Sequence, residues 1–253
     1  MAKNTLTRQH TCPYEAFSHA KIQFFVSIAE SISSRVIGGK DAEDNAFPYQ
    51  VSIRVQGFHI CGGSIINKQW ILTAAHCLRN PIDTFVVVGS NSILSGGISY
   101  GVKEMIIHSK YSVNPIINDI GLIKIFGKFE YSNAVAPIQL PDKDIDETNC
   151  TAIFTGWGET KNTGGRDNWL QIINLKIVEL PKCRMIYQSV KNTNICTDNS
   201  HTHGVCYGDS GSPLVLNGVQ IGLASWVTPC AKGYPDVHTR IYSYIDWIIS
   251  HIS

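Results

Sequence analysis

Short apolar runs separated by polar turns make up the chain from residue 36 onward. Within 51–55, apolar and polar residues alternate with a period of two, which predicts a half-buried β-strand. Other runs are rich in apolar and β-branched residues and end at Gly, Asn, Asp or Pro, as strands bounded by turns do. The segments predicted as strands in this way are 51–55, 85–88, 121–125, 172–178 and 213–216.

Helical periodicity is convincing only at the end of the chain. Apolar residues recur there at spacings of three and four, as in Tyr244, Ile248 and Ile252, and this is the pattern of an amphipathic helix. The sequence therefore predicts an all-β architecture, either a sandwich or a barrel, followed by a C-terminal α-helix within 242–252.

Composition narrows the range of functions. The 253 residues suffice for one large domain or two small ones, and 43% apolar against 16% charged residues suits a well-buried globular protein. The formal net charge is only +1, and no run of like charges occurs. We therefore expect no nucleic-acid partner and no attraction to a membrane surface.

Cysteine usage indicates the compartment. No tandem Cys-x-x-Cys pairs suggest a zinc site, so structural disulfides and an extracellular setting are the better interpretation. The tripeptide that begins at Asn149 is a glycosylation sequon, which agrees with secretion. The eight cysteines lie at positions 12, 61, 77, 150, 183, 196, 206 and 230.

An apolar run near the N-terminus resembles the core of a secretion signal. Residues 22–29 follow Lys21 and end in a small residue, but they are too short to span a bilayer. We predict no transmembrane helix. Signal sequences begin at the chain start, whereas this run begins at residue 22. Two interpretations remain: a displaced signal with a later true start, which we favour, or a pro-extension.

A processing site is indicated after Arg35. This basic residue precedes two β-branched residues and a Gly pair, a pattern that also fits an ordinary loop entering a strand. Cleavage there would create a new α-amino group at Val36. Such an ammonium group can be buried only against a carboxylate, and Asp209 is the natural candidate.

A serine between glycines is the first indication of chemistry. Ser210 follows Gly208 and Asp209 and precedes Gly211, so the backbone is free to turn sharply around its hydroxyl. The alternative is an ordinary surface turn. A serine hydroxyl is a weak nucleophile alone, so the functional interpretation requires a base and an orienting acid elsewhere.

Two other positions supply those partners. His76 lies between small residues and a cysteine after an apolar run, which suits either a packed core histidine or a rigidly held general base. Asp119 stands at the head of a very apolar strand, where a buried aspartate has to be paired or hydrogen-bonded. It is either part of an Asn-Asp turn or the acid that orients the histidine.

In the order His76, Asp119, Ser210, with its surrounding motifs, the chain resembles the trypsin/chymotrypsin-like serine endopeptidases, and insect chymotrypsins in particular. The resemblance covers 36–253. Its motifs are Val36-Ile37-Gly38-Gly39, Thr73-Ala74-Ala75-His76-Cys77, Asn118-Asp119-Ile120-Gly121-Leu122, Gly156-Trp157-Gly158 and Gly208-Asp209-Ser210-Gly211.

The resemblance implies a fold and a mechanism. Two six-stranded antiparallel β-barrels would hold the active site between them, and Ser210 would attack the peptide carbonyl while His76 takes its proton. The amides of Gly208 and Ser210 would form the oxyanion hole, and the hydroxyl of Ser225 would support Asp119. The Val36 amino group would pair with Asp209 after cleavage, so we expect an uncleaved chain to be a poorly active zymogen with an incompletely formed Ser210 loop.

The family pattern also implies three disulfides: Cys61–Cys77, Cys183–Cys196 and Cys206–Cys230. Cys12 and Cys150 have no familiar partners. Either they pair and tether the pro-segment, or Cys12 is lost with a leader and Cys150 is left free.

The resemblance assigns the primary substrate pocket to Gly204, Ser225, Trp226, Val227 and Asp236. Trypsin-like members carry an aspartate where Gly204 stands, which argues against simple Arg/Lys specificity. Asp236 either meets a basic side chain or is hydrogen-bonded and takes no part, and Val227 narrows the pocket. The expected order of specificities is chymotrypsin-like cleavage after Tyr, Phe or Leu, then elastase-like, then collagenase-like.

The remaining expectations complete this hypothesis. Residues 1–35 form a leader or pro-segment and 36–253 the protease domain of a secreted monomer. Protein substrates, an activating protease and serine protease inhibitors are its partners.

We expect no cofactor and no metal. The loop 90–100 has no carboxylate that could bind calcium, and His201 and His203 lie in a polar loop. A catalytically silent homologue is the alternative, and a metal hydrolase is disfavoured because no His-Glu-x-x-His occurs.

Overall fold

Strands dominate the structure, a computed structural model that describes residues 12, 38–78, 81–144, 147–148, 150–159, 168–200, 204–228, 230 and 232–252. The strands of the first half are β1 (Lys40–Asp41), β2 (Gln50–Val55), β3 (Phe58–Ile65), β4 (Trp70–Thr73), β5 (Thr84–Val88), β6 (Ile98–Ile107), β7 (Ser112–Val113), β8 (Ile116–Ile117) and β9 (Gly121–Ile125). Those of the second half are β10 (Thr151–Gly156), β11 (Gln171–Val178), β12 (Asn194–Thr197), β13 (Pro213–Leu216), β14 (Val219–Trp226) and β15 (Asp236–Arg240). The helices are α1 (Leu180–Ile186) and α2 (Ile245–Ile252), with short 3₁₀ turns at Ala75–Cys77 and Ile241–Tyr244.

The first barrel closes in the strand order β2-β3-β4-β9-β6-β5. Ile53 of β2 lies opposite Cys61 on one side and Val86 on the other, so β2 is paired along both edges. Ile53, Ile71 and Ile123 are fully buried in its interior. Each such side chain contributes about 1.5–3 kcal/mol by leaving water, which makes this interior the main stabilising feature of the first half.

The second barrel follows the order β11-β10-β13-β14-β15-β12, and it closes where Ile177 of β11 pairs with Thr197 of β12. Strand β1 adds to the outer edge of β11. Phe154, Leu175 and Leu214 fill the interior. The prediction of two six-stranded antiparallel barrels is therefore confirmed.

The C-terminal helix returns the chain to the first barrel. Ile241, Tyr244 and Ile248 are buried in the same core cluster as the side chains of β2 and β9. The helix starts later than the pattern predicts, because Ile241–Tyr244 is a 3₁₀ turn and α2 begins only at Ile245. No helix in the described ranges is long and apolar enough to cross a membrane.

Helix α1 and ten of the fifteen strands in the described ranges lie outside the segments that the hydrophobic pattern predicts. The seven-residue helix α1 buries only Cys183 and has a proline in its first turn, so it shows no apolar stripe. Strand β3 contains Gly62 and Gly63, which weaken the signal for a strand. Gly62 is required by the fold, since a Cβ there would overlap the hydroxyl of Ser212 in the second barrel.

Four disulfides join the described cysteines. Three are the bonds that the family pattern implies, Cys61–Cys77, Cys183–Cys196 and Cys206–Cys230. The fourth joins Cys12 to Cys150, across 138 positions of sequence, and both cysteines are buried against the core of the second barrel. Of the two alternatives for this pair, the structure has the bonded one.

Candidate active site

His76 and Asp119 lie on adjacent strand ends of the first barrel. His76 is in the 3₁₀ turn that follows β4, and Asp119 is two residues before β9. Thr73 of β4 pairs with Gly121 of β9, which brings the two side chains together. His76 Nδ1 lies 2.8 Å from Asp119 Oδ2, and the main-chain N–H of His76 donates to Asp119 Oδ1 at 3.0 Å.

The second barrel also holds Asp119. Ser225 on β14 donates a 2.5 Å hydrogen bond from its hydroxyl to Asp119 Oδ2, and Thr239 on β15 donates one to the main-chain oxygen of Asp119 at 2.7 Å. The Asp119 side chain is 1% exposed, whereas that of His76 is 30% exposed. The buried carboxylate is therefore fully engaged, and it holds a histidine that remains accessible from the cleft.

Ser210 reaches the same place from the second barrel. Its main-chain oxygen accepts a hydrogen bond from the N–H of Gly62 at 2.8 Å, and the N–H of Gly211 donates to Ala224 at 2.8 Å. A Cβ on Gly211, whose φ is 77°, would overlap Thr73 Oγ1. The serine therefore sits beside the segment that carries His76. In the described part of the structure the Ser210 hydroxyl makes no hydrogen bond to His76, as is common before substrate binds.

The two amides expected to form the oxyanion hole are available. Neither the N–H of Gly208 nor that of Ser210 has a hydrogen-bond acceptor among the described residues. The Gly208 carbonyl, in contrast, lies 3.0 Å from His59 Nε2, and His59 Nδ1 lies 2.9 Å from the Ser52 hydroxyl. A chain of hydrogen bonds from the first barrel thus fixes the peptide that precedes Asp209.

Asp209 is fully buried next to Ser210. Its Oδ1 accepts from the N–H of Gly158 at 2.8 Å, and its Oδ2 accepts from the N–H of Cys206 at 3.0 Å. A Cβ on Gly156 would overlap the carboxylate. These contacts hold the Ser210 loop in a defined conformation, so in this uncleaved chain the loop differs from the incompletely formed state that we expect of a zymogen.

A cavity of about 180 Å³ opens next to Ser210. This is smaller than the roughly 300–1,000 Å³ of sites for drug-sized ligands, and it suits a single side chain. The disulfide Cys206–Cys230 ties one wall to the loop before β15. Its lining residues are Val205, Cys206, Tyr207, Ser210, Ala224, Ser225, Trp226 and Val227.

Two of the expected pocket residues, Gly204 and Asp236, are not among those that line the cavity. Asp236 Oδ2 accepts from the N–H of Val205 and its Oδ1 from Asn199 Nδ2, both at 2.8 Å. Burial raises the pKa of Asp236 to about 7. Of the two interpretations of this carboxylate, the structure has the hydrogen-bonded one.

Val205, which the resemblance places in the pocket segment after Gly204, lines the cavity. Two other contacts have no counterpart in the sequence pattern. Ala224 lines the cavity and Asn199 bonds to Asp236, but no period or motif singles out either residue. The expected residues Arg35, Val36, Asn149, His201 and His203 lie outside the described part of the chain.

A larger cavity, of about 570 Å³, is lined by residues of α1 and β12. It also contains the ion pair between Arg240 and Glu147, 2.7 Å apart. None of His76, Asp119 and Ser210 is among its lining residues.

Comparison with known proteins identifies the family. The family model described as Trypsin matches residues 36–248. Chymotrypsin-2 of Vespa crabro is 41% identical over 215 residues, covering 84% of this chain and 98% of the relative. The chain belongs to the trypsin family of serine proteases. Trypsin II-P29 of Gallus gallus (38% identical, 85% and 88% covered) and Brachyurin of Leptuca pugilator (32%, 84% and 96%) are also similar.

The candidate catalytic residues are divided between the two barrels. His76 and Asp119 lie at strand ends of the first barrel, and Ser210 lies in the second half of the chain, before β13. The relatives bear the names of a chymotrypsin, a trypsin and a brachyurin. Family membership therefore establishes the class of enzyme and leaves the preferred side chain to the pocket residues.

Proposed function

We propose that this chain is a secreted serine endopeptidase with chymotrypsin-like specificity, made as a zymogen and activated by cleavage after Arg35. The observation that supports this most directly is the arrangement of His76, Asp119 and Ser210. The first two are joined at 2.8 Å, and the Ser210 loop is docked on the segment that carries the histidine.

The chemistry follows from which atoms are engaged. Because Asp119 holds His76 Nδ1, the other ring nitrogen is left to take the proton of the Ser210 hydroxyl and return it to the leaving amine. The attack places negative charge on the carbonyl oxygen of the substrate. The amides of Gly208 and Ser210, which have no acceptor among the described residues, receive that charge. One such donor contributes about 3–4 kcal/mol to transition-state stabilisation.

The pocket supports cleavage after an apolar side chain. Its lining is largely apolar, with Val205, Ala224 and Val227 on the walls, and Gly204 brings no carboxylate of its own. Val227 narrows the site, so elastase-like preference for smaller residues is the next alternative. The similarity to a brachyurin keeps broad, collagenase-like specificity as the third.

Activation would use Asp209. We propose that residues 1–35 are a pro-segment, which the Cys12–Cys150 disulfide supports over a displaced signal, and that 36–253 are the protease domain. The new amino group of Val36 would pair with Asp209. Strand geometry supports this: Asp41 of β1 pairs with Gln171, Gln171 pairs with Gly156, and Gly156 contacts the Asp209 carboxylate. Neighbouring strands lie about 5 Å apart, so β1 is about 10 Å from Gly156, and the four residues from Val36 to β1 are long enough to span that distance.

The disulfide Cys12–Cys150 gives this activation a further property. Since it links a residue before Arg35 to one after it, the pro-segment would stay covalently attached after cleavage. The disulfides also suit an oxidising, extracellular location. An activating protease, protein substrates and serine protease inhibitors are the partners that we propose for a monomeric enzyme.

Labelling with a fluorophosphonate tests the proposal. Protein cleaved after Arg35 should label at Ser210 and hydrolyse peptides in a library varied at the residue before the cut, with preference for Tyr, Phe or Leu. Ser210→Ala should abolish both, whereas the nearby control Ser212→Ala should keep them. A cleaved protein that neither labels nor cuts is the catalytically silent homologue, and preference for Arg or Lys would contradict the chymotrypsin-like assignment.

A further inference from the structure

The base of the pocket is built around a buried carboxylate that the cavity does not expose. Asp236 is 1% exposed, and both of its oxygens accept hydrogen bonds. One donor is the fixed main-chain N–H of Val205, a residue that lines the cavity. The other is the side-chain amide of Asn199, which is the only one of the two donors that a substitution can remove.

Asn199 joins three segments beneath the pocket. Its Nδ2 donates to Asp236 Oδ1 at 2.8 Å, and its Oδ1 accepts from the N–H of Gly233 at 3.4 Å. A Cβ on Gly204 would overlap the Asn199 amide and lie 3.1 Å from Asp236 Oδ2. The amide therefore occupies the space that a side chain at position 204 would fill.

No positive charge among the described residues balances this carboxylate. Burial is the main cause that raises the pKa of Asp236, and the negative charges of Asp209 and Asp198 raise it further. Tyr187 is the other titratable group that interacts with Asp236, and it carries no positive charge either. A cation that reached Asp236 would therefore meet a site with unbalanced negative potential.

We propose that Asn199 is a specificity-determining residue. Its amide donates a hydrogen bond to Asp236 and fills the space next to Gly204, and so keeps the pocket selective for uncharged side chains. Removal of the amide frees one oxygen of Asp236 and leaves room for the end of a lysine or arginine side chain. This inference rests on the proposed endopeptidase function, because it concerns the substrate preference of the same site.

The test compares Asn199→Ala with wild type on matched peptides that carry Phe, Leu, Lys or Arg before the scissile bond. We expect the ratio of kcat/KM for Lys to that for Phe to rise about tenfold or more in the variant. The double variant Asn199→Ala/Asp236→Asn should return to the wild-type ratio. Asn133→Ala, a change of an exposed asparagine in another loop, is the matched control and should leave the ratio unchanged.

The pH dependence gives a second readout. A carboxyl group whose pKa is about 7 gains its charge as the pH rises through that value. The Asn199 hydrogen bond lowers this pKa, so its loss in Asn199→Ala moves the pKa of Asp236 above 7. The Lys/Phe ratio of this variant should therefore increase as the pH rises from about 7 to about 9. The ratio cancels any pH effect on the catalytic step that both substrates share. The double variant should show no such increase.

Titration with the fluorophosphonate precedes all kinetics and separates the two hypotheses. Wild type that does not label overturns the proposed function. Labelled enzymes whose Lys/Phe ratios agree within about twofold overturn the role of Asn199, as does a gain that persists without the Asp236 carboxyl. If Asn199→Ala folds poorly, Asn199→Ser, whose hydroxyl is too short to reach Asp236, supplies the same comparison.

Discussion

The hydroxyl of Ser225 donates to Asp119 Oδ2, the same carboxylate oxygen that lies 2.8 Å from His76 Nδ1. Asp119 Oδ2 is thus hydrogen-bonded to a side chain from each barrel, His76 from the first and Ser225 from the second. In the proposed mechanism the serine restrains the carboxylate in the position from which it orients the imidazole, so it would act on the reaction through the aspartate.

Ser225→Ala should lower kcat. A hydrogen bond to a charged group contributes about 1.5–3 kcal/mol, so we expect a fall of about tenfold to a hundredfold if the loss is felt in the transition state. Thr239→Val removes a hydroxyl from the main-chain oxygen of Asp119 and should lower kcat less. Peptide hydrolysis at saturating substrate, normalised to titrated active sites, measures both. An unchanged kcat in Ser225→Ala would contradict this role of Ser225.

The tether between Cys12 and Cys150 predicts a two-chain product. After cleavage at Arg35, wild type should keep the 35-residue fragment on a non-reducing gel and release it only on reduction. Cys12→Ser/Cys150→Ser should release the fragment without reductant, because no covalent bond then spans the cut. Intact mass spectrometry provides the measurement. Release of the fragment from non-reduced wild type would mean that the disulfide does not persist in the cleaved enzyme.

Val227 should set the width of the pocket. Val227→Gly removes a side chain from the cavity wall, so kcat/KM for Tyr and Phe should rise relative to that for Ala and Val, by about tenfold. Val227→Ala should fall between wild type and the glycine variant. Because Val227 packs against the Cys206–Cys230 disulfide, thermal unfolding should accompany the kinetics. An unchanged ranking of substrates in a folded glycine variant would contradict a selective role for this wall.

His238 should make the fold sensitive to acid. The ring is fully buried on β15, with Nε2 2.9 Å from the Thr197 hydroxyl, and burial lowers its pKa to about 3. In the unfolded chain a histidine takes up its proton near pH 6.5, so the unfolded state is favoured as the pH falls from there towards 3. Protonation of His238 therefore costs no free energy of unfolding above about pH 6.5, and it lowers the free energy of unfolding by about 3 kcal/mol at pH 4.

Urea unfolding at pH 7 and pH 4 measures this effect. Wild type should lose more free energy of unfolding between the two values than His238→Gln, which cannot take up that proton. His251→Gln, on the C-terminal helix, is the control and should behave like wild type. If wild type and His238→Gln have parallel pH profiles, the acid sensitivity comes from other groups.

Sequence alone predicts the parts of this molecule that depend on local pattern. The alternation in β2 and the apolar runs of β5, β9, β11 and β13 place five strands within one residue of their observed ends. The order of the motifs around His76, Asp119 and Ser210 also identifies the family. These features survive in sequence because strand periodicity and catalytic chemistry both restrict the residue types at fixed positions.

Contacts between distant loops are beyond such reasoning. Asn199 and Asp236 are 37 positions apart in sequence, and nothing in either neighbourhood links an amide to that carboxylate. Gly62 likewise interrupts a strand pattern for a reason that lies in the second barrel, at Ser212. Both are decided by how the barrels and loops pack, which no local period records.

The hydrogen bonds that cross the cleft have an evolutionary consequence. Asp119 of the first barrel accepts hydrogen bonds from the hydroxyl groups of Ser225 and Thr239 of the second, and the N–H of Gly62 donates to the main-chain oxygen of Ser210. In the proposed mechanism neither barrel alone contains a complete catalytic centre. A chimera that exchanged one barrel with a relative would therefore have to carry these matching groups on both sides. We therefore expect the two barrels to have evolved together as one catalytic unit.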